Sequence, residues 1–232
     1  MNRPRTFYGR GIPGVATKDL KGKLIVLEGP DGSGRSTQIA LLTEWLERRG
    51  HAVEHVGLKR STLVADELAK AKRGNVLSPR TLSLFYATDF TDQLEHRILP
   101  ALRAGFIVLA DRYIYTLMAR DMVRGADLPW LQSVYSIALV PDLVMYLRVA
   151  PQKLMERYIY RGRELDYWES GMDIGYSQSW YDSFIRYQSE LHRIFNRLQA
   201  VYGFVTVNGM RVPRTVTRDL QTHIESVISS NG

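Results

Sequence analysis

Short apolar runs alternate with longer segments of helical periodicity along the chain, and this alternation predicts an α/β protein. The runs are too far apart for hairpins, so we expect about five parallel strands with helices on both faces of the sheet. Helices are predicted to begin at residues 36, 79, 151 and 181. The predicted strands are residues 24–28, 52–56, 106–110, 143–149 and 203–207.

The first predicted strand runs directly into a glycine-rich turn, and a helical pattern opens immediately after it. Gly29, Gly32 and Gly34 would let backbone N–H groups converge on an anion, and the helix adds its positive N-terminal end. The spacing follows G-x-x-x-x-G-K-[ST] as far as Ser36, except that Arg35 replaces the lysine. Arginine keeps the charge but is bulkier and forked. We therefore predict phosphate binding and leave the rate of catalysis open.

A charged pair ends the third predicted strand. Asp111 and Arg112, followed by Tyr113, come directly after the apolar run of residues 106–110. Ligands of doubly wound sheets bind at the carboxyl ends of such strands. We therefore predict a functional role for this pair, with a structural ion pair as the alternative.

Three arginines crowd into one turn-prone stretch, at Arg157, Arg161 and Arg163. Guanidinium groups so close together repel one another unless an anion lies between them. The stretch is either a solvated charge run or a lid that closes over phosphates, and the glycine-rich turn favours the lid. Arg60, just after the second predicted strand, would lie at the ligand-binding edge of the sheet.

The composition is that of a globular protein that prefers anionic partners. Hydrophobic residues make up 45% of 232 positions, and 31 Lys and Arg against 24 Asp and Glu give a net charge of +7. This charge does not separate nucleotides from nucleic acid as partners. The absence of cysteine excludes disulfides, thiolate nucleophiles and cysteine-bound metals. No apolar run is long enough to cross a bilayer and no signal peptide is recognisable, so we expect a cytoplasmic location.

Residues 1–22 are basic, contain several Gly and Pro, and lack apolar periodicity. We expect a loosely ordered extension, with folding over the body or contact with a partner as the alternatives. The remaining residues, 23–232, are long enough to form one α/β domain.

From about Lys23 onwards the chain resembles the thymidylate kinase family of P-loop nucleoside monophosphate kinases. The resemblance rests on residues 28–37, which include an aspartate that generic P-loops lack, and on residues 111–113, which match D-R-[YFH]. Residues 60–62 and 141–143 also fit, and residues 157–175 resemble the family's arginine-rich lid. The resemblance implies a P-loop NTPase-type three-layer fold. It also implies transfer of the γ-phosphoryl of ATP to a nucleoside monophosphate with Mg²⁺, with dTMP giving dTDP as the leading interpretation.

The resemblance also implies roles for individual residues. In the family the loop aspartate meets the acceptor's sugar hydroxyl, two arginines approach the acceptor's phosphate, and an aromatic ring stacks on the base. The implied catalytic residues are Arg35, Asp111, Arg161 and Arg163. The implied ATP-binding residues are Gly29, Asp31, Gly32, Ser33, Gly34, Arg35, Ser36, Thr37 and Arg157. The implied acceptor-binding residues are Asp31, Arg60, Phe85, Asp89, Arg112, Tyr113 and Arg120, and the implied Mg²⁺ ligands are Ser36 and Asp111.

Three positions depart from the family pattern. Arg35 replaces the loop lysine, Asp89 stands where the family places an arginine that donates to the thymine carbonyl, and Arg120 stands where relatives often place a tyrosine. An ionised carboxylate only accepts hydrogen bonds, so Asp89 would favour a base with an amino donor. We hypothesise that Asp89 and Arg120 pair with each other.

These departures leave alternatives open. Asp89 would fit a kinase for a different monophosphate, such as a deoxycytidylate-like acceptor, and Arg35 would fit a catalytically degenerate ATP-binding module. A P-loop ATPase fits less well, because arginine rather than glutamate follows Asp111. By family analogy we expect a homodimer that binds ATP and a nucleoside monophosphate, with neither membrane nor nucleic acid as a partner.

Overall fold

The computed structural model describes residues 5–58, 61, 66, 70, 77–162 and 164–229. Within these ranges one sheet holds five parallel strands in the order β2-β3-β1-β4-β5, which confirms the predicted α/β fold. Every strand boundary lies within two residues of its predicted position. The strands are β1 (Lys23–Glu28), β2 (Val53–Gly57), β3 (Ile107–Asp111), β4 (Leu143–Arg148) and β5 (Val205–Asn208).

Helices cover both faces of the sheet. The second helix, α2 (Pro79–Gln93), continues through a π-helical turn, Leu94–Ile98, into the third, α3 (Leu99–Arg103). Pro100 lies in the first turn of α3, and proline disfavours a continuous helix, so the interruption falls beside it. The fourth, fifth and eighth helices were not among those predicted. The helices are α1 (Arg35–Glu47), α2 (Pro79–Gln93), α3 (Leu99–Arg103), α4 (Ile114–Val123), α5 (Leu128–Val134), α6 (Pro151–Tyr160), α7 (Trp180–Tyr202) and α8 (Pro213–Ile228).

The central strand β1 divides the core into two layers. Leu24 and Val26 pack against α2, α4 and α7, whereas Ile25 and Leu27 face α1 and α8. All four side chains are fully buried. A parallel strand covered on both faces has no solvent side, which is why its sequence is a continuous apolar run.

The strand register decides which loops meet. β1 lies between β3 and β4, and Leu27 is paired with Asp111 at the carboxyl end of β3. The loop that follows β1 is therefore adjacent to the residue after β3, Arg112, whose backbone N–H donates to the Leu27 carbonyl at 3.0 Å. Two segments 80 residues apart in sequence come together at one edge of the sheet.

The expectation of a loosely ordered extension is wrong for residues 5–22, which fold over the body. Phe7 forms an antiparallel bridge with Leu139, and Arg5 donates to the Asp142 carboxylate at 2.6 Å. Leu20 is only 6% exposed. Apolar residues without periodicity gave no signal for a regular element, but burial does not require one.

Substitutions in this segment should lower the free energy of unfolding. We expect Leu20→Ala to cost about 2–4 kcal/mol, because it leaves a cavity in the core. Urea denaturation followed by circular dichroism measures the change. Arg10→Ala is the control, since Arg10 is exposed, and it should stay within about 0.5 kcal/mol of the parent. An unchanged midpoint for Leu20→Ala would restore the loose-arm interpretation.

Candidate active site

The loop after β1, residues 29–34, is built for close backbone turns. Gly29, Gly32 and Gly34 have φ of +154°, +78° and +98°, which favour glycine. A Cβ at Gly29 would also lie 2.9 Å from the hydroxyl of Ser33 and 3.1 Å from the carbonyl oxygen of Leu147. The loop opens α1 at Arg35 without a side-chain cap, so the free N–H groups of the first turn can bind an anion.

Arg35 lies within this loop instead of projecting from it. Its side chain is 8% exposed, its Nη1 donates to the carbonyls of Gly29 and Pro30, and its Nε donates to Asp111 at 2.7 Å. Burial, with Arg112 nearby, lowers the pKa of the guanidinium. We predicted contact with donor phosphates, whereas in the structure this side chain fixes the loop to the end of β3.

Asp31, at the tip of the loop, is bound by arginines. Its Oδ1 accepts a hydrogen bond from Arg112, its Oδ2 accepts one from Arg120 at 2.8 Å, and Arg35 lies 3.8 Å away. Burial alone would raise the pKa of Asp31, but the three guanidiniums, that of Arg112 foremost, hold it far below its usual range. In the structure Asp31 is thus the centre of a cluster of ion pairs, and its implied contact with a sugar hydroxyl stays a prediction.

The hypothesis that Asp89 pairs with Arg120 is wrong, since Arg120 binds Asp31. Asp89 is fully buried and accepts from the backbone N–H of Ser61 at 3.0 Å and from the side-chain amide of Gln93 at 2.9 Å. It fastens Ser61 to α2 and also lines a small cavity with Arg112 and Tyr113. The effect of Asp89 on the choice of base stays a prediction.

Arg112 adopts a conformation that is rare for a residue with a side chain. Its φ is +73°, and its Nε is buried without a hydrogen-bond partner in the described part of the chain. The turn is held by Glu28, fully buried at the end of β1, which accepts from the backbone N–H of Tyr113 at 2.9 Å and from the hydroxyl and N–H of Thr116. Burial raises the pKa of Glu28, and these donors oppose that rise.

Two aromatic residues that were predicted to bind the acceptor lie in the hydrophobic core or against it. Tyr113 is buried in the core, where its hydroxyl donates to the Leu139 carbonyl at 3.1 Å and its ring packs edge-on against Phe90. Phe85 packs half-buried against the core. The next residue, Tyr86, instead lines a cleft that Arg120 also lines. On a helix one position changes the direction of a side chain by about 100°, which the sequence pattern did not resolve.

A cleft opens beside the arginine cluster. Its α4 wall presents residues at i, i+3, i+4 and i+7, so one helix face lines it. Sequence reasoning identified one of the lining residues, Arg120, and missed the rest; the helical spacing on α4 was the available signal. The cleft is lined by Pro79, Leu82, Tyr86, Leu117, Arg120, Asp121, Arg124, Trp168, Glu169 and Tyr187.

Arg124 fixes the far wall of the cleft. It binds both carboxylate oxygens of Asp173, at 2.7 and 3.0 Å, and donates to the Trp168 carbonyl and the Tyr187 hydroxyl, each at 3.3 Å. Its guanidinium also lies over the rings of Trp168 and Tyr187. This arginine therefore attaches the irregular segment after α6 to α4 and α7.

The predicted lid meets the loop through α6. Arg157 donates to the Ser33 and Gly209 carbonyls at 3.0 and 2.7 Å, and the Tyr158 ring lies against Gly32. Arg161 is exposed. Two predicted site residues, Arg60 and Arg163, lie outside the described residues.

The predicted Mg²⁺ ligands flank the loop. Ser36 and Thr37 are exposed in the first turn of α1, and the Asp111 side chain, 16% exposed, accepts from Arg35. Among the described residues no group of three or more His, Asp or Glu could hold a metal ion. A hydroxyl and one carboxylate suit Mg²⁺ that is held mainly by nucleotide phosphates.

Comparison with known proteins identifies the family. The family model described as thymidylate kinase matches residues 27–197. The chain belongs to the thymidylate kinase family. A "Probable thymidylate kinase 2" of Saccharolobus solfataricus is 37% identical over 213 residues, which cover 91% of this chain and all of that protein.

Other relatives in this family are more distant or shorter in their match. A "Probable thymidylate kinase" of Thermococcus kodakarensis is 30% identical over 88% of this chain and 98% of its own length. A "Thymidylate kinase" of Thermoanaerobacter sp. is 36% identical over 60% of this chain and 71% of its own. Separately, no helix among the described residues is both long and apolar enough to span a membrane.

Neutralising Asp31 should destabilise the fold in a pH-dependent way. Asp31→Asn leaves Arg112 and Arg120 without their counter-charge, and we expect a loss of about 2–4 kcal/mol at neutral pH. Since the folded pKa of Asp31 is depressed, this contribution is complete above its unfolded value and is lost as pH falls below about 4.

The difference between parent and Asp31→Asn in the free energy of unfolding should therefore shrink in acid. Denaturation at a series of pH values measures it. Asp219→Asn is the control, since Asp219 forms a more exposed pair with Arg211. A difference that stayed constant from neutral pH into the acid range would contradict the charge-cluster account.

Proposed function

We propose that this protein transfers the γ-phosphoryl of ATP to dTMP, giving ADP and dTDP. Membership of the thymidylate kinase family supports the reaction class, and relatives that span nearly the whole chain carry that name. The geometry supports a site with two halves, one for each nucleotide.

One observation carries the proposal: Asp31 joins the glycine-rich loop to the cleft. Asp31 belongs to the loop that leads into the N-terminus of α1, and its carboxylate binds Arg120, which lines the cleft. A phosphate at the loop and a nucleotide in the cleft would therefore meet beside Arg112. Phosphoryl transfer needs this placement, because its catalysis is mostly positioning and neutralisation of charge.

The donor half would hold ATP. The free N–H groups of the loop and of α1 would bind its phosphates, and Arg157, which already contacts the loop carbonyls, would lie beside the bound nucleotide. Ser36 and Asp111 would hold Mg²⁺, which neutralises charge on the phosphates when it is bound. Arg35 would act by fixing the loop against Asp111.

The acceptor half would hold dTMP. The buried Nε of Arg112 has no hydrogen-bond partner among the described residues, and an acceptor phosphate beside it would supply one. The base would lie in the cleft against Tyr86. Arg161 and Arg163 remain proposed ligands of the transferred phosphoryl, and Arg60 remains a proposed ligand of the acceptor phosphate.

Three further expectations stay proposals. A homodimer and a cytoplasmic location follow from family analogy and from the sequence. The third is the division into residues 1–22 and 23–232, with a lid near residues 157–175. The packing of α6 on the loop supports the lid, and the bridge between Phe7 and Leu139 supports a first segment that covers the domain.

Production of ADP should depend on the acceptor. With ATP and Mg²⁺ we expect turnover with dTMP and little without a nucleoside monophosphate, measured with a coupled ADP assay and by chromatography of dTDP. ADP formed without acceptor would favour an ATPase. ATP binding without any product would favour a degenerate nucleotide-binding module.

Removing the Arg35 side chain should impair turnover more than binding of the acceptor. Arg35→Ala breaks the contacts that hold the loop to Asp111, and we expect kcat to fall about 100-fold. Arg35→Lys keeps one cation and should lose less. Steady-state kinetics with both nucleotides tests this, with Arg48→Ala, directly after the end of the same helix, as an exposed control. Equal activities of parent and Arg35→Ala would contradict a role for the side chain.

A further inference from the structure

Asp121 is a carboxylate of the cleft with one oxygen left open by the described residues. Asp121 accepts a hydrogen bond from the Ser83 hydroxyl at its Oδ2, at 2.5 Å. No hydrogen bond from the described residues reaches its Oδ1, and this atom is not among the enclosed polar atoms that lack a partner. It is therefore accessible, and Asp121 lines both this cleft and a neighbouring cavity that Ser83 also lines.

Arg124, which also lines the cleft, is held by Asp173, Tyr187 and backbone carbonyls. Glu169 accepts from the Tyr158 hydroxyl at its Oε2, at 3.0 Å, and no hydrogen bond from the described residues reaches its Oε1. Glu169 belongs to the segment after α6, whereas Asp121 is next to Arg120 on α4. Arg120 uses Nη2 on Asp31, and the structure shows no other hydrogen bond from its side chain to described residues. Asp121 and Arg120 thus offer an acceptor and donors side by side.

We infer that Asp121 recognises the base of the acceptor nucleotide by accepting a hydrogen bond from the N3–H of thymine. This inference rests on the proposed function. The edge of thymine presents a carbonyl, an N–H donor and a second carbonyl. The carboxylate matches the donor, and the remaining N–H groups of Arg120 match a carbonyl.

Cytosine would fit this pair less well. In the orientation that suits thymine, its N3 lone pair would face the carboxylate. Its N4 amino group could donate to Asp121 only if the base shifted away from the position in which Arg120 meets a carbonyl. Burial raises the pKa of Asp121 to about 6, while Ser83 and the neighbouring arginines oppose the rise. The carboxylate is therefore mostly ionised near pH 8, where it accepts and does not donate.

The position of Asp121 on α4 supports the assignment. Leu117, Arg120, Asp121 and Arg124 occupy one face of the helix and all line the cleft, opposite Tyr86 on α2. A base that packs on the Tyr86 ring would turn its edge toward that face. Asp89, the carboxylate that the sequence placed near the base, is enclosed by Ser61 and Gln93.

The first test compares two acceptors in Asp121→Asn. With saturating ATP near pH 8, we expect the ratio of kcat/KM for dTMP to that for dCMP to fall about 10-fold, through KM for dTMP, with kcat within about threefold. KM for ATP and the unfolding midpoint should not change. Asp127→Asn is the matched control, because it neutralises a carboxylate at the start of α5 and asparagine can keep the cap on Trp130.

The second test uses the parent protein, so its main result does not depend on whether a variant folds. We expect the parent to bind N3-methyl-dTMP at least about 10-fold more weakly than dTMP, measured by calorimetry. Asp121→Ala, which removes both the acceptor and its bulk, should lose most of this discrimination. Equal binding of the two nucleotides by the parent would overturn the inference even if every variant failed to fold.

The outcomes separate this inference from the proposed function. Suppose that the parent phosphorylates dTMP and that the ratio of kcat/KM for dTMP to that for dCMP in Asp121→Asn stays within about twofold of the parent's ratio. Asp121 then does not select the base, and the kinase assignment stands. If the parent forms no dTDP, the proposed function fails and this inference fails with it. A lower ratio that comes from a raised KM for dTMP, with the control variant unchanged, supports the inference and the proposed function.

Discussion

The carboxylate of Asp31 holds the positive charge of the site together. Arg112 and Arg120 bind its two oxygens, and Arg35 lies within 4 Å of one of them. Guanidinium groups in a partly buried site repel one another and lose hydration, so they need a counter-charge at close range. Because Asp31 belongs to the phosphate loop and Arg120 to the cleft, this counter-charge also fixes the position of one half of the site relative to the other.

The cluster depends on a backbone that accepts unfavourable conformations. Arg112 has positive φ, and the turn that holds it is closed by Glu28, a buried carboxylate that binds the first N–H groups of α4. Strain of this kind persists only where surrounding structure fixes it. Here the central strand supplies Glu28, and its pairing with β3 brings Arg112 beside the loop. The charge cluster is thus a consequence of strand order as much as of side-chain chemistry.

The polar groups of the site fall into two classes, those that bind other parts of the protein and those that are accessible to a ligand. Arg35, Arg124 and Asp89 have the residue types expected of ligand-binding groups, yet each is bound to the protein itself, through Asp111, Asp173 and Ser61 respectively. Buried charges require such partners, and a partner once satisfied is no longer free for a ligand. Among the described residues, the accessible groups include the N–H groups of α1, the remaining N–H groups of Arg120 and Oδ1 of Asp121, whereas the Nε of Arg112 is buried without a partner.

The sequence by itself determined the five strands, the glycine loop, the parallel sheet and the family, because each depends on local periodicity or on residues close together in the chain. It did not determine the partner of any charge. Asp89 and Arg120 were expected to pair, whereas Arg120 binds Asp31. Phe85 was the aromatic residue expected on the base, and Tyr86 is the one that lines the cleft. Which arginine meets which carboxylate depends on strand order and on helix rotation, and these are decided when the layers pack. The fold of residues 5–22 was likewise decided by the apolar surface they cover, which exists only in the tertiary structure.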